Sequence, residues 1–165
     1  MAAGYTFEKW TWTEQDLERM GWHDAQVHAF AFRPESWEFL LDLDYIVDWV
    51  KPAAGESHYS FWSAPATLVF ESVAGLKIEL EPFPAFELDS IERSDPQVLD
   101  GRENAPASVH WLWTLEFFHG RITFRATGFA QHFRRQPVFN TTQSLTLDER
   151  GGLSFDRGQD RDRAV

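Results

Sequence analysis

The chain of 165 residues carries 26 Asp and Glu against 15 Lys and Arg, for a net charge of -11. That balance excludes the basic surface needed to neutralise nucleic-acid phosphates or to meet an anionic membrane. Cysteine is absent, which removes disulfides and thiolate metal sites, while 15 Phe and 8 Trp supply a core for one domain.

Residues 1–12 read as a lead-in whose Tyr5, Phe7, Trp10 and Trp12 dock on a core. They lack the basic flank and apolar run of a signal peptide, and no later run approaches the roughly 20 apolar residues of a membrane helix. The expected location is therefore the cytoplasm. Thr13 followed by Glu14 and Asp16 predicts a short helix over 14–20, with Gly21 closing it. Residues 25–33 form a strand of ambiguous phase, and Pro34-Glu35-Ser36 turns it back as a hairpin.

The strongest pattern lies at 37–49. Trp37, Phe39, Leu41, Leu43, Tyr45, Val47 and Trp49 alternate with Glu38, Leu40, Asp42, Asp44, Ile46 and Asp48. Side chains alternate faces along a strand, so one face is oily and the other acidic. A bend near Asp44 would divide it into two strands. Residues 59–65 read as irregular because Pro65 cannot donate to a ladder. Strands follow at 66–73, 76–81 and 86–93, and 94–107 reads as the longest loop. Residues 109–117 form a second clear strand. A two-residue turn at His119-Gly120 pairs Trp113 with Ala126 and Trp111 with Gly128, where a bulge shifts the phase. A strand at 143–147 and a turn at Gly151-Gly152 complete a domain over 1–157. Residues 158–165 read as a disordered charged tail.

The fold class expected is mainly β: an antiparallel curved sheet, open barrel or sandwich of about eight strands with one short N-terminal helix.

No phosphate loop, zinc-protease or nucleophile-elbow motif is present, so no catalytic residue, metal or cofactor is assigned. Glu38, Asp42, Asp44 and Asp48 form a carboxylate row. Asp42 and Asp44 would lie roughly 7 Å apart, and such acids suit a hard cation, a retaining-glycosidase pair at about 5 Å, or a solvated face that pairs with basic neighbours. The reading taken is a surface that meets a basic protein partner. Trp22-His23-Asp24, with His28 nearby, suits either an Asp-oriented His or a simple turn. Tyr59-Ser-Phe-Trp62 places aromatics in irregular chain. Trp22, His23, Asp24, Tyr59 and Trp62 are the expected ligand contacts.

Trp22-His23-Asp24, Leu41-Asp-Leu-Asp-Tyr-Ile46 with Trp49, and Phe61-Trp-Ser-Ala-Pro-Ala-Thr-Leu-Val-Phe70 resemble small uncharacterised bacterial proteins of the domain-of-unknown-function type. The resemblance covers roughly the first half of the chain. Some comparable acidic, mainly-β proteins are immunity proteins that bind and block a toxin, so it implies a bacterial binding protein. The expected function is non-enzymatic, immunity-like binding of a partner through the acidic face. The alternative is a small-molecule or sugar-binding protein, or an enzyme, with an aromatic-lined cavity.

Overall fold

The computed structural model describes residues 4–81, 85–101, 103 and 106–158. The expected tail lies outside them from residue 159 on. The alternation at 37–49 becomes β3 (Glu38–Val50), whose Phe39, Leu41 and Leu43 are buried in the core. Trp37 does not join that face. It ends the preceding turn with φ 54° and is 61% exposed.

Nine further strands are described: β1 (Thr11–Thr13), β2 (Gln26–Arg33), β4 (Ser60–Glu71), β5 (Ala74–Leu80), β6 (Phe86–Leu99), β7 (Ser108–Phe117), β8 (Gly120–Ala126), β9 (Gly128–Phe133) and β10 (Val138–Asn140). All pair antiparallel in the order β1-β9-β4-β3-β2-β6-β7-β8-β5, with β10 beside β4. The sheet is curved and unclosed. Its weak seam is β2–β6, where only Gln26–Glu87 and Val27–Phe86 pair. The two halves fold over at that seam and enclose Phe39, Phe70, Trp113, Phe124 and Phe129. Their rings meet edge-on or tilted, as in Phe70–Phe124 at 4.7 Å and Trp113–Phe129 at 5.6 Å between centroids.

The ambiguous phase of β2 has a physical cause. The pairing with β3 slips between Val27 and Ala29, leaving His28 as a bulge. Val27 therefore shares a face with Phe30 and Phe32, although their sequence parities differ. A second slip between Ile46 and Asp48 relaxes β3 at its end, where the expected bend lay nearer Asp44.

Several expectations are corrected. Residues 60–65 belong to β4, straight through Pro65. The Pro65 carbonyl accepts from Arg134 N at 2.9 Å, so its nitrogen faces the same side, in the gap between β10 and β9, where no ladder bond is lost. β6 continues to Leu99 by a bulge at Asp95-Pro96, so the loop is shorter than 94–107. Residues 141–146 are not a strand. They lead into the helix α1 (Leu147–Arg150), capped by Thr146, whose Oγ1 accepts from Glu149 N at 3.3 Å. The N-terminal helix is present as a 3-10 helix, Glu14–Arg19, and Gly21 does not adopt a left-handed conformation.

The β7–β8 turn is Phe118-His119, two residues off the expected register. Phe117 pairs with Gly120, Trp113 with Phe124 and Trp111 with Ala126. A slip of two preserves facing, so Trp113 still lies in the core, fully buried. Gly120, the first residue of β8 after the turn, takes positive φ, 136°, whereas Phe118 and His119 do not. Gly128 is not a bulge. It opens β9 after the chain crosses between the halves at Thr127, whose N donates to Glu71 O at 3.1 Å.

A Cβ on Gly120 would lie 2.0 Å from the Glu79 carbonyl oxygen, whereas one on Gly75, also at positive φ, meets nothing within 4 Å. Gly75→Ala should therefore cost about 1–2 kcal/mol from backbone strain alone. Gly120→Ala should cost clearly more, as urea denaturation of the two variants would show.

Candidate functional site

The outer face of β3 is not a solvated acidic surface. Asp42 and Asp44 are both fully buried there, beneath residues 145–157. Burying a carboxylate is tolerable only with charge and hydrogen bonds around it. Asp42 accepts from Arg150 Nη2 (2.6 Å) and Nη1 (3.0 Å), from Arg134 Nη2 (2.6 Å) and from Ser154 N (2.9 Å). Asp44 accepts from Arg150 Nε (3.1 Å) and Leu145 N (3.0 Å), and His28 Nε2 lies 2.7 Å from its Oδ2. Two arginines thus stand where a cation would have to sit. Among the described residues, no group of three or more His, Cys, Asp or Glu is placed to hold a metal ion.

Desolvation pushes the Asp42 carboxyl upward. The hydrogen bonds from Arg150, Ser154 N and Arg134 outweigh it and hold the group below the ordinary carboxylate value. Burial likewise opposes the charge on Arg150, and the two aspartates override it and raise its pKa. The covering segment is fixed further out as well. Thr67 Oγ1 donates to the Asp156 carbonyl at 2.5 Å, and Arg157 pairs with Glu38 at 2.6 Å. Arg135 Nη1 donates to the last carbonyls of α1, Asp148 O at 3.0 Å and Glu149 O at 3.2 Å.

This anchoring shapes a cleft of about 580 Å³ beside it. One wall is the chain just before Leu145, namely Thr141, Thr142, Gln143 and Ser144. The opposite walls bring Asp24, Gln26 and Glu87 from the β2–β6 seam, and Trp49, His58, Tyr59 and Phe61 from the end of β3 and the start of β4. Gln143 Nε2 donates to Asp24 Oδ2 at 2.5 Å and ties the walls together. Trp49 stands edge-on to Phe61 and Tyr59, at 5.0 and 6.1 Å between centroids. Asp24 holds φ 62°, a left-handed position that Asp and Asn tolerate better than most residues. That turn separates it from Trp22.

The residues singled out from the sequence therefore part company, except that His23 Nε2 stays 3.7 Å from Asp24 Oδ1. Asp24 and Tyr59 line the cleft. His23 lies outside its lining, exposed, stacked at 6.2 Å on Trp49 and 2.9 Å from Asp89. Trp22 does not line this cleft. It is buried, and its Nε1 donates to Gln131 Oε1 at 2.8 Å. Trp62 faces away from the cleft, against Phe139 and Tyr5. Of the partner row, Asp42 and Asp44 are withdrawn from any partner, Glu38 is engaged by Arg157, and Asp48 is exposed. Sequence reading missed Trp49 and Glu87 as cleft residues and Arg134 and Arg150 as counter-ions. One signal was available: Thr146-Leu-Asp-Glu149 has capping-box spacing and Gly151 follows, which places a helix end and its Arg150 together.

No protein family, curated protein or solved structure matches this chain.

Removing Arg150 leaves two buried carboxylates short of a cation. Arg150→Ala should cost about 3–5 kcal/mol at neutral pH, measured by urea denaturation. A carboxyl held low in the fold contributes stability above its unfolded pKa and loses it as the pH falls through the folded value. Near pH 4, about the unfolded Asp pKa, Asp42 in the native protein should still be ionised. In the variant it loses the Arg150 hydrogen bonds and should take up its proton at a higher pH than in the native protein, so the gap between the two proteins should narrow on acidification.

Proposed function

We propose that the protein is a non-enzymatic binding protein whose cleft receives a cationic side chain, Lys or Arg, presented by a basic protein partner. One observation carries this reading: among the described residues, the fixed charges of the cleft lining, Asp24 and Glu87, are both negative, and neither Lys nor Arg contributes to it. Trp49 and Tyr59, 39% and 45% exposed, offer ring faces and edges beside those carboxylates. Carboxylates orient a guanidinium or ammonium, and aromatic rings attract the same cation through their quadrupoles. The net charge of -11 adds long-range attraction for a basic partner. An immunity-like role against a toxin is what the sequence resemblance implies, and the negative charge of the chain argues for a basic one. The partner surface moves with this reading from the carboxylate row of β3 to the cleft at its end.

The test is calorimetric titration with short peptides displaying Lys or Arg, their neutral counterparts and a set of neutral oligosaccharides. The basic peptides should bind and weaken with added salt. Asp24→Asn combined with Glu87→Gln should weaken them at least tenfold, about 1.4 kcal/mol, while Asn keeps the left-handed turn at position 24. Failure of every basic peptide would contradict the proposal. Oligosaccharide binding that ignores the double substitution would favour an aromatic sugar site instead.

A further inference from the structure

We infer that β5 is a homodimerisation edge, where two copies of this chain join their sheets about a two-fold axis at Ile78. β5 is the last strand of the sheet, and among the described residues no strand covers its outer side. Glu81 N donates to His119 O at 2.9 Å, and the regular ladder runs from Lys77 on, so Lys77 and Glu79 turn their backbone groups toward β8. Alternation then points the N–H and C=O of Ile78 and Leu80 outward, open to a further strand. Exposed edges of this kind are templates for pairing unless something blunts them.

The side chains of β5 select a second copy of the same strand. In an antiparallel pair centred on Ile78, residue 77 of one copy meets residue 79 of the other. Lys77 then faces Glu79 of the second copy, and its own Glu79 faces the second copy's Lys77. The charges alternate so that both cross-strand pairs are opposite in sign. Within one chain they are only 3.2 Å apart and well exposed, free to be shared across an interface. The other face is apolar. Ile78 pairs with buried Ile122 within the chain and is 42% exposed at the rim. Against its own copy it would be covered, with Leu80 of each copy on the same face. Backbone donors, charge pattern and apolar rim therefore agree on one register, and such an isologous contact closes at two copies.

Sedimentation equilibrium of the full chain, from micromolar to near-millimolar concentration, tests this. The native protein should dimerise reversibly. Lys77→Glu puts like charges opposite one another at both positions and should weaken the dimer about tenfold or more. Lys77→Glu combined with Glu79→Lys restores the complementarity and should restore the dimer. Ile78→Pro removes an outward N–H without touching the β8 ladder and should leave a folded monomer, checked by its thermal melt. If that variant fails to fold, the charge swap decides alone. A native protein that stays monomeric throughout, or a dimer indifferent to Lys77→Glu and its reversal, would overturn the inference.

Discussion

Two carboxylates buried in the middle of a central strand constrain the structure more than any other feature. Asp42 and Asp44 lie on the outer face of β3 with no exposed surface. Desolvating a carboxylate costs several kcal/mol, so a sheet that buries two must bring cations and donors to them. Here the donors come from far along the chain: Arg134, 92 residues from Asp42, and Arg150, 106 residues from Asp44. The acids thus fix where the last part of the described chain lies. Leu145 N and Ser154 N, both donating to them, fasten that segment at two points.

The cleft follows from this constraint. Its wall of Thr141–Ser144 runs directly into Leu145, and Gln143 reaches across to Asp24. The other walls stand at the β2–β6 seam, where the sheet is paired least, and at the relaxed end of β3. A concave surface forms where the ladder loosens and a side-chain network takes over its role. The aromatic core between the two halves contributes rigidity underneath, through rings such as Phe39, Phe70 and Phe124 meeting at 4.7–5.5 Å between centroids. Trp22, expected as a contact, belongs to that core.

The parts of the fold carried by local periodicity were legible in the sequence. β3, β7 and β5 show their alternation directly, and the Phe117–Gly120 hairpin was found within two residues. What escaped was set by distant contacts. The bulge at His28 hides the phase of β2, because a single extra residue reverses parity. Pro65 was misleading because the gap between β10 and β9 spares its missing N–H, a fact of tertiary arrangement. Alternating Leu145 and Leu147 imitated a strand, although Leu147 is 62% exposed and belongs to α1. The carboxylate row was legible as a pattern and misread as a surface. Alternation gives the face on which an acid lies, and no local signal tells which arginine will cover it. Asp24 and Tyr59 were reached from turn and loop chemistry. Trp49 was hidden at the end of an apolar alternation that elsewhere marks the core.

Amide hydrogen exchange at Leu145 and Ser154 tests most directly whether the buried acids hold the covering segment in place. Both N–H groups donate to Asp44 or Asp42, so they should exchange only with the global opening that frees β3, at rates matching Leu41 and Leu43. Exchange at the rate of an exposed loop, with β3 still protected, would contradict the account. The carboxylates would then be satisfied without the segment that shapes the cleft.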